Sequence, residues 1–221
     1  MPKLVVRSFA ISLDGFSAAP GQSQQAPFGK NGLRLMEWAF ATKHFRKMFG
    51  QEGGAEGIDN DFATHSDDNI GANILGRHMF GPPPDAKDKT NWKGWWGENP
   101  PYHAPVFVLT HKPQPSLEMQ GGTTFHFVTD GIESALKQDF SAAKGKDVRL
   151  GGGPATVRQY LKAGLVDELH LVQVPLFMGQ GERIFEGLGG AEDLYECIEF
   201  LPSQAVSHLK IVRKKTTPGP K

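Results

Sequence analysis

The segment Val148–Phe185, VRLGGGPATVRQYLKAGLVDELHLVQVPLFMGQGERIF, sets out a strand, a glycine turn, a helix and a second strand in succession. Val148 and Leu150 belong to a short apolar strand that runs into Gly151, Gly152 and Gly153. Pro154 then opens a helix, because a proline at the first helical position gives up no hydrogen bond that the helix would otherwise make. Val157, Leu161 and Leu165 recur on one helical face with Tyr160 beside them, and Gly164 marks the stop. Leu169–Leu176 follows as a second apolar strand. A βαβ unit of this kind aims its helix N-terminus beyond the strand ends. Three glycines let the backbone approach an object there, and the free amides and helix dipole favour an anion. A dinucleotide pyrophosphate fits; a tight strand-to-helix loop that binds nothing is the alternative. The GxGxxG spacing of the commonest dinucleotide-binding fold is absent, so nucleotide binding here requires another architecture.

The 221 residues suffice for one substantial core. Lys and Arg number 24 and Asp and Glu number 24, which indicates neither a basic nucleic-acid surface nor an acidic tail. Neutrality gives little protection from self-association. Cys197 is the only cysteine, so intrachain disulfides and cysteine-rich zinc sites are excluded and a reducing compartment suits the chain. The start, MPKLVVRSFAIS, reads as a first strand rather than a signal peptide, and no window approaches a membrane span. A soluble, cytoplasmic protein is expected.

Working outward from the glycine segment, Leu4–Ile11 reads as a strand ended by Ser12-Leu13-Asp14-Gly15, with a long Gly/Gln/Ser/Pro-rich loop to Lys30. Asp14 is the first acid able to face a site; a turn-forming Asp-Gly pair is the alternative. Gly32–Phe49 reads as one helix with Leu35, Trp38, Ala39, Thr42, Phe45 and Phe49 on one side. Asp59–Ile70 is a second helix or an irregular acidic segment, and its aspartates match no calcium loop and read as a solvated face. Ala72–Leu75 is a buried strand leading into Gly76, Arg77 and His78, where a guanidinium can meet a phosphate.

Pro82–Pro105 is irregular and holds Trp92, Trp95, Trp96 and Tyr102; a lid or pocket wall, a satellite apolar cluster and a subunit contact all remain open. Val106–Leu109 is a strand running into Thr110, His111 and Lys112, which make a phosphate reader at a strand exit. Phe125–Val128 is a strand and Gly131–Lys144 a helix, with Ile132, Leu136 and Phe140 inward. Leu194–Phe200 and Ala205–Val212 read as an antiparallel hairpin closing a sheet edge, followed by a solvated tail from Arg213 that frays over Pro218–Lys221. No linker or repeat divides the chain, so one α/β domain over 1–221 with a mixed sheet is expected, its core over roughly residues 3–213.

No GxSxG elbow, no P-loop and no zinc-deaminase signature is present. A cofactor would therefore carry the hard step. Taken in order, Ser12-Leu13-Asp14-Gly15, Ile74-Leu75-Gly76-Arg77, Val106–Thr110, Gly151-Gly152-Gly153, Leu165-Val166-Asp167-Glu168-Leu169 and Pro175–Phe185 resemble the dihydrofolate reductase-like superfamily. More closely, they resemble the C-terminal reductase domain of bifunctional riboflavin-biosynthesis deaminase–reductases, here as a stand-alone member.

The resemblance implies a mostly parallel mixed sheet flanked by helices, with a C-terminal antiparallel hairpin. It implies NADPH as cofactor, a homodimer, and hydride transfer to a pteridine-like or ribosylamino-pyrimidine-like heterocycle; a non-catalytic NADP(H)-binding protein is the alternative. It places Ala10 and Ile11 near the nicotinamide amide, and Gly76, Arg77 and His78 at the phosphates. Thr110, His111 and Lys112 fall at the adenosine ribose and its 2′-phosphate, and Gly151, Gly152, Gly153, Pro154, Ala155 and Thr156 around the pyrophosphate. On the substrate side it offers Asp14 and Glu37 as catalytic acids, with an ordered water as a further proton source.

Overall fold

Leu4–Ser12 forms β1, buried at Leu4, Val5, Val6, Ala10 and Ile11 as its apolar run requires. In a computed structural model describing residues 1–215, this strand lies near the centre of a nine-stranded sheet; Pro218–Lys221 falls outside the described residues. The other strands of that sheet are β3 (Ile70–Gly76), β4 (Pro105–Leu109), β5 (Leu117–Glu118), β6 (Thr124–Val128), β7 (Asp147–Gly152), β8 (Glu168–Val174), β10 (Tyr195–Pro202) and β11 (Ser207–Arg213). Phe16–Ala18 (β2) and Glu182–Arg183 (β9) pair separately.

The order is β10-β11-β8-β1-β7-β3-β4-β6-β5. From β8 to β6 every pairing is parallel, whereas β11 and β10 on one side and β5 on the other are antiparallel. The fold is therefore a dihydrofolate reductase-like α/β sheet with the expected hairpin at its edge.

The helices are α1 (Glu37–Phe40), α2 (Lys43–Met48), α3 (Ile58–Thr64), α4 (Arg77–Phe80), α5 (Ile132–Ala142), α6 (Pro154–Lys162) and α7 (Ala191–Leu194). α6 sets Val157, Tyr160 and Leu161 against Leu4, Val6, Ile74 and Leu150 on one face of the sheet, and α5 adds Leu136. Burial of each such side chain stabilises the fold by about 1.5–3 kcal/mol. Tyr160 brings a polar tip into this core and satisfies it by donating to the Ile132 carbonyl at 2.9 Å. Gly164 adopts φ 65 after α6, the left-handed cap expected of a glycine stop. On the opposite face, Leu35, Trp38 and Ala39 cover Ala10, Val172 and Val174, while Phe80 covers Leu75, Val106, Val108 and Phe125.

Gly32–Phe49 is not one helix. A 3-10 turn (Gly32–Met36) passes into α1, and the chain breaks at Thr42 before α2. Thr42 is extended, donates its hydroxyl to the Ala39 carbonyl at 2.7 Å and accepts from Phe45 N–H at 3.2 Å, so one side chain closes the first helix and caps the second. Leu35, Trp38, Ala39 and Thr42 are buried as their spacing predicts, but Phe49 is 66% exposed beyond the break.

The crossover from β1 to β3 runs along the face covered by α1, and the crossover from β7 to β8 along the face covered by α6, in opposite directions. β1 pairs with β7 only at Leu4 and Val5, yet stays paired to β8 as far as Ser12. Beyond Val5 the two central strands are no longer paired, at the point where the strand order reverses; open α/β sheets take ligands in the crevice at such a point.

Candidate functional site

Because β1, β7, β3 and β4 are parallel neighbours, their C-terminal ends share one edge. Leu75 lies opposite Gly152 and Gly76 opposite Leu109 in the register. Four of the sequence segments singled out above meet there: Ala10–Ile11, Gly76–His78, Thr110–Lys112 and Gly151–Thr156.

The glycines are required by packing. A methyl group on Gly76 would fall inside van der Waals contact with Thr156 Oγ1, so the end of β3 and the first turn of α6 touch with no room for a side chain. On Gly151 a methyl would lie 2.7 Å from Leu75 Cδ2. Gly152 has φ 117, which side chains rarely adopt, and faces the Phe9 ring and Met79 sulfur. Beside Gly153 the space is open, with nothing within 4 Å of an added methyl. The N-terminus of α6 begins at this open residue, and no side chain caps it.

Arg77 opens α4, half-buried, with its guanidinium 5.9 Å over the Phe80 ring. The guanidinium makes no ion pair or hydrogen bond with a described residue, and burial lowers its pKa from the usual guanidinium value. His78 is exposed beside it. Thr110 is buried, donates its N–H to the Val128 carbonyl at 3.0 Å and accepts from Lys112 N–H at 3.2 Å, which curls the exposed His111 and Lys112 over the edge.

The tryptophan segment forms a satellite cluster on the sheet. Trp92 donates to the Phe80 carbonyl at 2.8 Å and meets Trp95 edge-on, while Trp96 stacks on Phe125. Its outer side also walls a cleft of about 490 Å³ shared with Arg77, Lys89, Lys93, Gln114 and Ser116. Lys89 and Lys93 were not anticipated from the sequence; beside them the Asp88 carboxylate holds the Thr90 and Asn91 amides at 3.0 Å each, and Lys93 pairs with Glu98.

On the substrate side, Asp14 is fully engaged. Its Oδ1 accepts from Ser12 Oγ at 2.5 Å and Met178 N–H at 3.1 Å, and its Oδ2 from Gly179 N–H at 2.7 Å. The Ser12 hydroxyl foremost, then the Gly179 and Met178 amides, hold its pKa down to about 2 against desolvation. This carboxylate is an anchor for the 178–179 loop and carries no proton to give near neutrality. Glu37, the first residue of α1, is exposed, and its carboxylate makes no hydrogen bond or ion pair with a described residue.

The parallel run from β8 to β6, parted between β1 and β7 beyond Val5 and carrying glycine turns along one edge, is the dihydrofolate reductase-like α/β topology. The chain belongs to the RibD C-terminal domain family, which matches residues 3–207. Among solved structures it is similar to a protein from Shewanella sp. PV-4 described as a riboflavin biosynthesis protein, at 19% identity and TM-score 0.59 over 97% of this chain and all of that one. It is similar to dihydrofolate reductase from Enterococcus faecalis complexed with NADP(H) and RAB-propyl, at 13% identity and TM-score 0.50, over 96% of this chain and 97% of that one.

A third is the diaminohydroxyphosphoribosylaminopyrimidine deaminase/5-amino-6-(5-phosphoribosylamino)uracil reductase from Thermotoga maritima, at 11% identity and TM-score 0.51; 96% of this chain spans 57% of that one. No curated protein sequence gives a significant match. At these identities the likeness to the solved structures establishes the fold alone. Among the described residues no helix is long and apolar enough to cross a membrane.

Proposed function

We infer that the chain is an NADPH-dependent reductase acting on a pteridine-like or ribosylamino-pyrimidine-like heterocycle. The observation that carries this reading is the meeting of Gly76–Arg77, Thr110–Lys112 and Gly152–Thr156 on one sheet edge beside the point where β1 and β7 cease to pair. The residues present fit the cofactor: open space at Gly153, an uncapped helix N-terminus and an unpaired, half-buried guanidinium are what a pyrophosphate and a 2′-phosphate need.

Bound there, NADPH would supply a hydride from C4 of its dihydronicotinamide to an electrophilic ring or imine carbon. The chain's own part is mostly placement. The backbone of Ala10 and Ile11 orients the nicotinamide amide, and the glycine turn and α6 hold the pyrophosphate. Arg77, with Thr110–Lys112 and the cleft beside Lys89, reads the 2′-phosphate end. Holding donor and acceptor carbons in line is a large share of what a hydride-transferring protein contributes. Asp14 acts as an anion that fixes the 178–179 loop beside the acceptor. Glu37 or a water supplies the proton.

Further parts of the proposal rest on the family expectation: one reductase domain over the whole chain, a homodimer in the cytoplasm, and no nucleic-acid partner. A deuteride-transfer assay tests the reading. With NADPH deuterated at C4, a dihydropteridine or ribosylamino-pyrimidine acceptor should gain deuterium. Full cofactor binding with no transfer to either class would favour the non-catalytic NADP(H)-binding alternative.

A further inference from the structure

Asp59, His208, His170 and a bulge in β1 form a hydrogen-bonded chain that the reductase reading leaves unused. The pairing of β1 with β8 shifts register between Val6 and Phe9, and within that bulge Ser8 has φ 53. A side-chain-bearing residue adopts this region seldom, so the bulge calls for support from outside the strand. Ser8 N–H donates to His170 Nδ1 at 3.1 Å. His170 Nε2 lies 3.0 Å from His208 Nδ1, and His208 Nε2 lies 2.8 Å from Asp59 Oδ1.

Only one assignment of protons satisfies all three contacts. A backbone amide can only donate, so His170 Nδ1 accepts and the His170 proton sits on Nε2. His208 Nδ1 then accepts from it, which leaves the His208 proton on Nε2, facing the carboxylate. Both rings are neutral Nε2–H tautomers, and a second proton on either would set two N–H groups against each other. The rings are held in place. Phe62 of α3 stacks on His170 at 4.4 Å and on His208 at 4.2 Å between centroids, and Trp38 meets His208 edge-on at 5.5 Å. The aspartate expected to lie on a solvated face is thus the outer end of a buried relay.

We propose that Asp59, His208 and His170 are positioning residues: their imidazole chain latches α3 to the β1 bulge and so sets Phe9–Ile11 against the glycine turn of the cleft. Phe9 directly follows the bulge, and its ring faces Gly152. α3 buries only Ala63 completely, so the relay and the Phe62 stack are its principal hold on the sheet. The consequence for cofactor binding rests on the reductase reading; the latch itself does not.

Burial favours the neutral state of both rings, against the pull of Asp59 on His208. Arg7 of β1, Lys210 of β11, Glu168 of β8, Asp61 and His65 from the α3 segment and Glu199 of β10 surround a cleft of about 240 Å³ beside His170. Burial first, then His208, Arg7 and Lys210, lowers the His170 pKa to about 3. Burial also lowers that of His208, outweighing Asp59. A native state that stays neutral while the unfolded chain takes up protons loses stability as pH falls from about 6.5, so the latch is fully closed at neutral pH.

Long-range ¹H–¹⁵N spectra of the full chain at neutral pH test the latch directly, and both rings should read as neutral Nε2–H tautomers. Asp59→Ala removes the terminal acceptor, so the His208 Nε2–H should lose its hydrogen bond and its proton resonance should move upfield, and NADPH affinity should fall several-fold. Asp59→Asn keeps an acceptor and should restore most of both. A charged ring or an Nδ1–H tautomer in the wild type would overturn the latch. Unchanged NADPH affinity in Asp59→Ala, with the His208 Nε2–H hydrogen bond lost, would overturn its positioning role. A wild type that binds no nucleotide would remove the reductase reading and leave the spectra to decide the latch.

Discussion

Arg77 lies half-buried at the start of α4 with its guanidinium over Phe80 and no carboxylate partner among the described residues. Burying a charge without a partner is costly, and an incoming phosphate relieves that cost. Arg77→Ala is therefore expected to weaken NADPH binding about ten- to a hundredfold and NADH much less; equal losses for both, by calorimetry, would remove its 2′-phosphate role. Asp139 presents the opposite case. It faces inward from α5, fully buried, with neither carboxylate oxygen hydrogen-bonded, and burial pushes its pKa up to about 9. Between the ordinary carboxylate range and that value the native state keeps a proton that the unfolded chain has released. Stability should then fall as pH rises through the window, by up to about 1.4 kcal/mol per pH unit. Asp139→Asn removes this titration. Urea unfolding from about pH 7 to pH 8.5, above the histidine window, should show a falling midpoint for the wild type and a flatter one for the variant; parallel curves would contradict it. Arg77 is marked in the sequence by its place at a strand exit, but Asp139 sits unremarked among helix-forming residues, and the Met178 and Gly179 amides that occupy Asp14 lie in a loop far along the chain.

At the scale of elements, β3 and α6 meet at Gly76 and Thr156 with no space between them. Gly76→Ala should push the first turn of α6 away, lowering stability by about 1–3 kcal/mol and loosening the cofactor cradle. Adding Thr156→Ala removes the opposing hydroxyl and should recover part of the loss, a coupling that a double-mutant cycle measures; additive losses would mean the two elements do not press on each other. The βαβ unit was readable because Gly151–Gly153 permit a tight turn, Pro154 presets φ for a helix start and Gly164 tolerates the left-handed stop. The helix over 32–49 was misread for a related reason. Its apolar spacing is continuous, and the break depends on the Thr42 hydroxyl bonding to both sides, which periodicity does not register. α7 and the short strands β2, β5 and β9 carry too few residues to show a pattern.

At the scale of the molecule, the order of the apolar strands and the glycine turns led to a mixed, mostly parallel sheet with an edge hairpin, and the sheet has that form. The antiparallel hairpin leaves β10 at the edge with Ile198 56% and Phe200 57% exposed. Exposed apolar edges invite pairing with another chain, and we place the proposed dimer contact there. Phe200→Glu should shift sedimentation toward the monomer, and an unchanged dimer would move the contact elsewhere. The cleft beside Lys89 and the His170–His208 latch were not legible, since each joins residues from separate parts of the chain whose local sequence reads as loop, acidic surface or strand.

The central claim is that this edge of the sheet holds NADPH. The most direct measurement is a titration of the folded chain with NADPH and then NADH, followed by quenching of the tryptophans at 92, 95 and 96. A cofactor site of the kind described saturates with NADPH and binds NADH at least about tenfold more weakly. Saturation by neither nucleotide would contradict the claim and leave the glycine turn as a packing device between β3, β7 and α6.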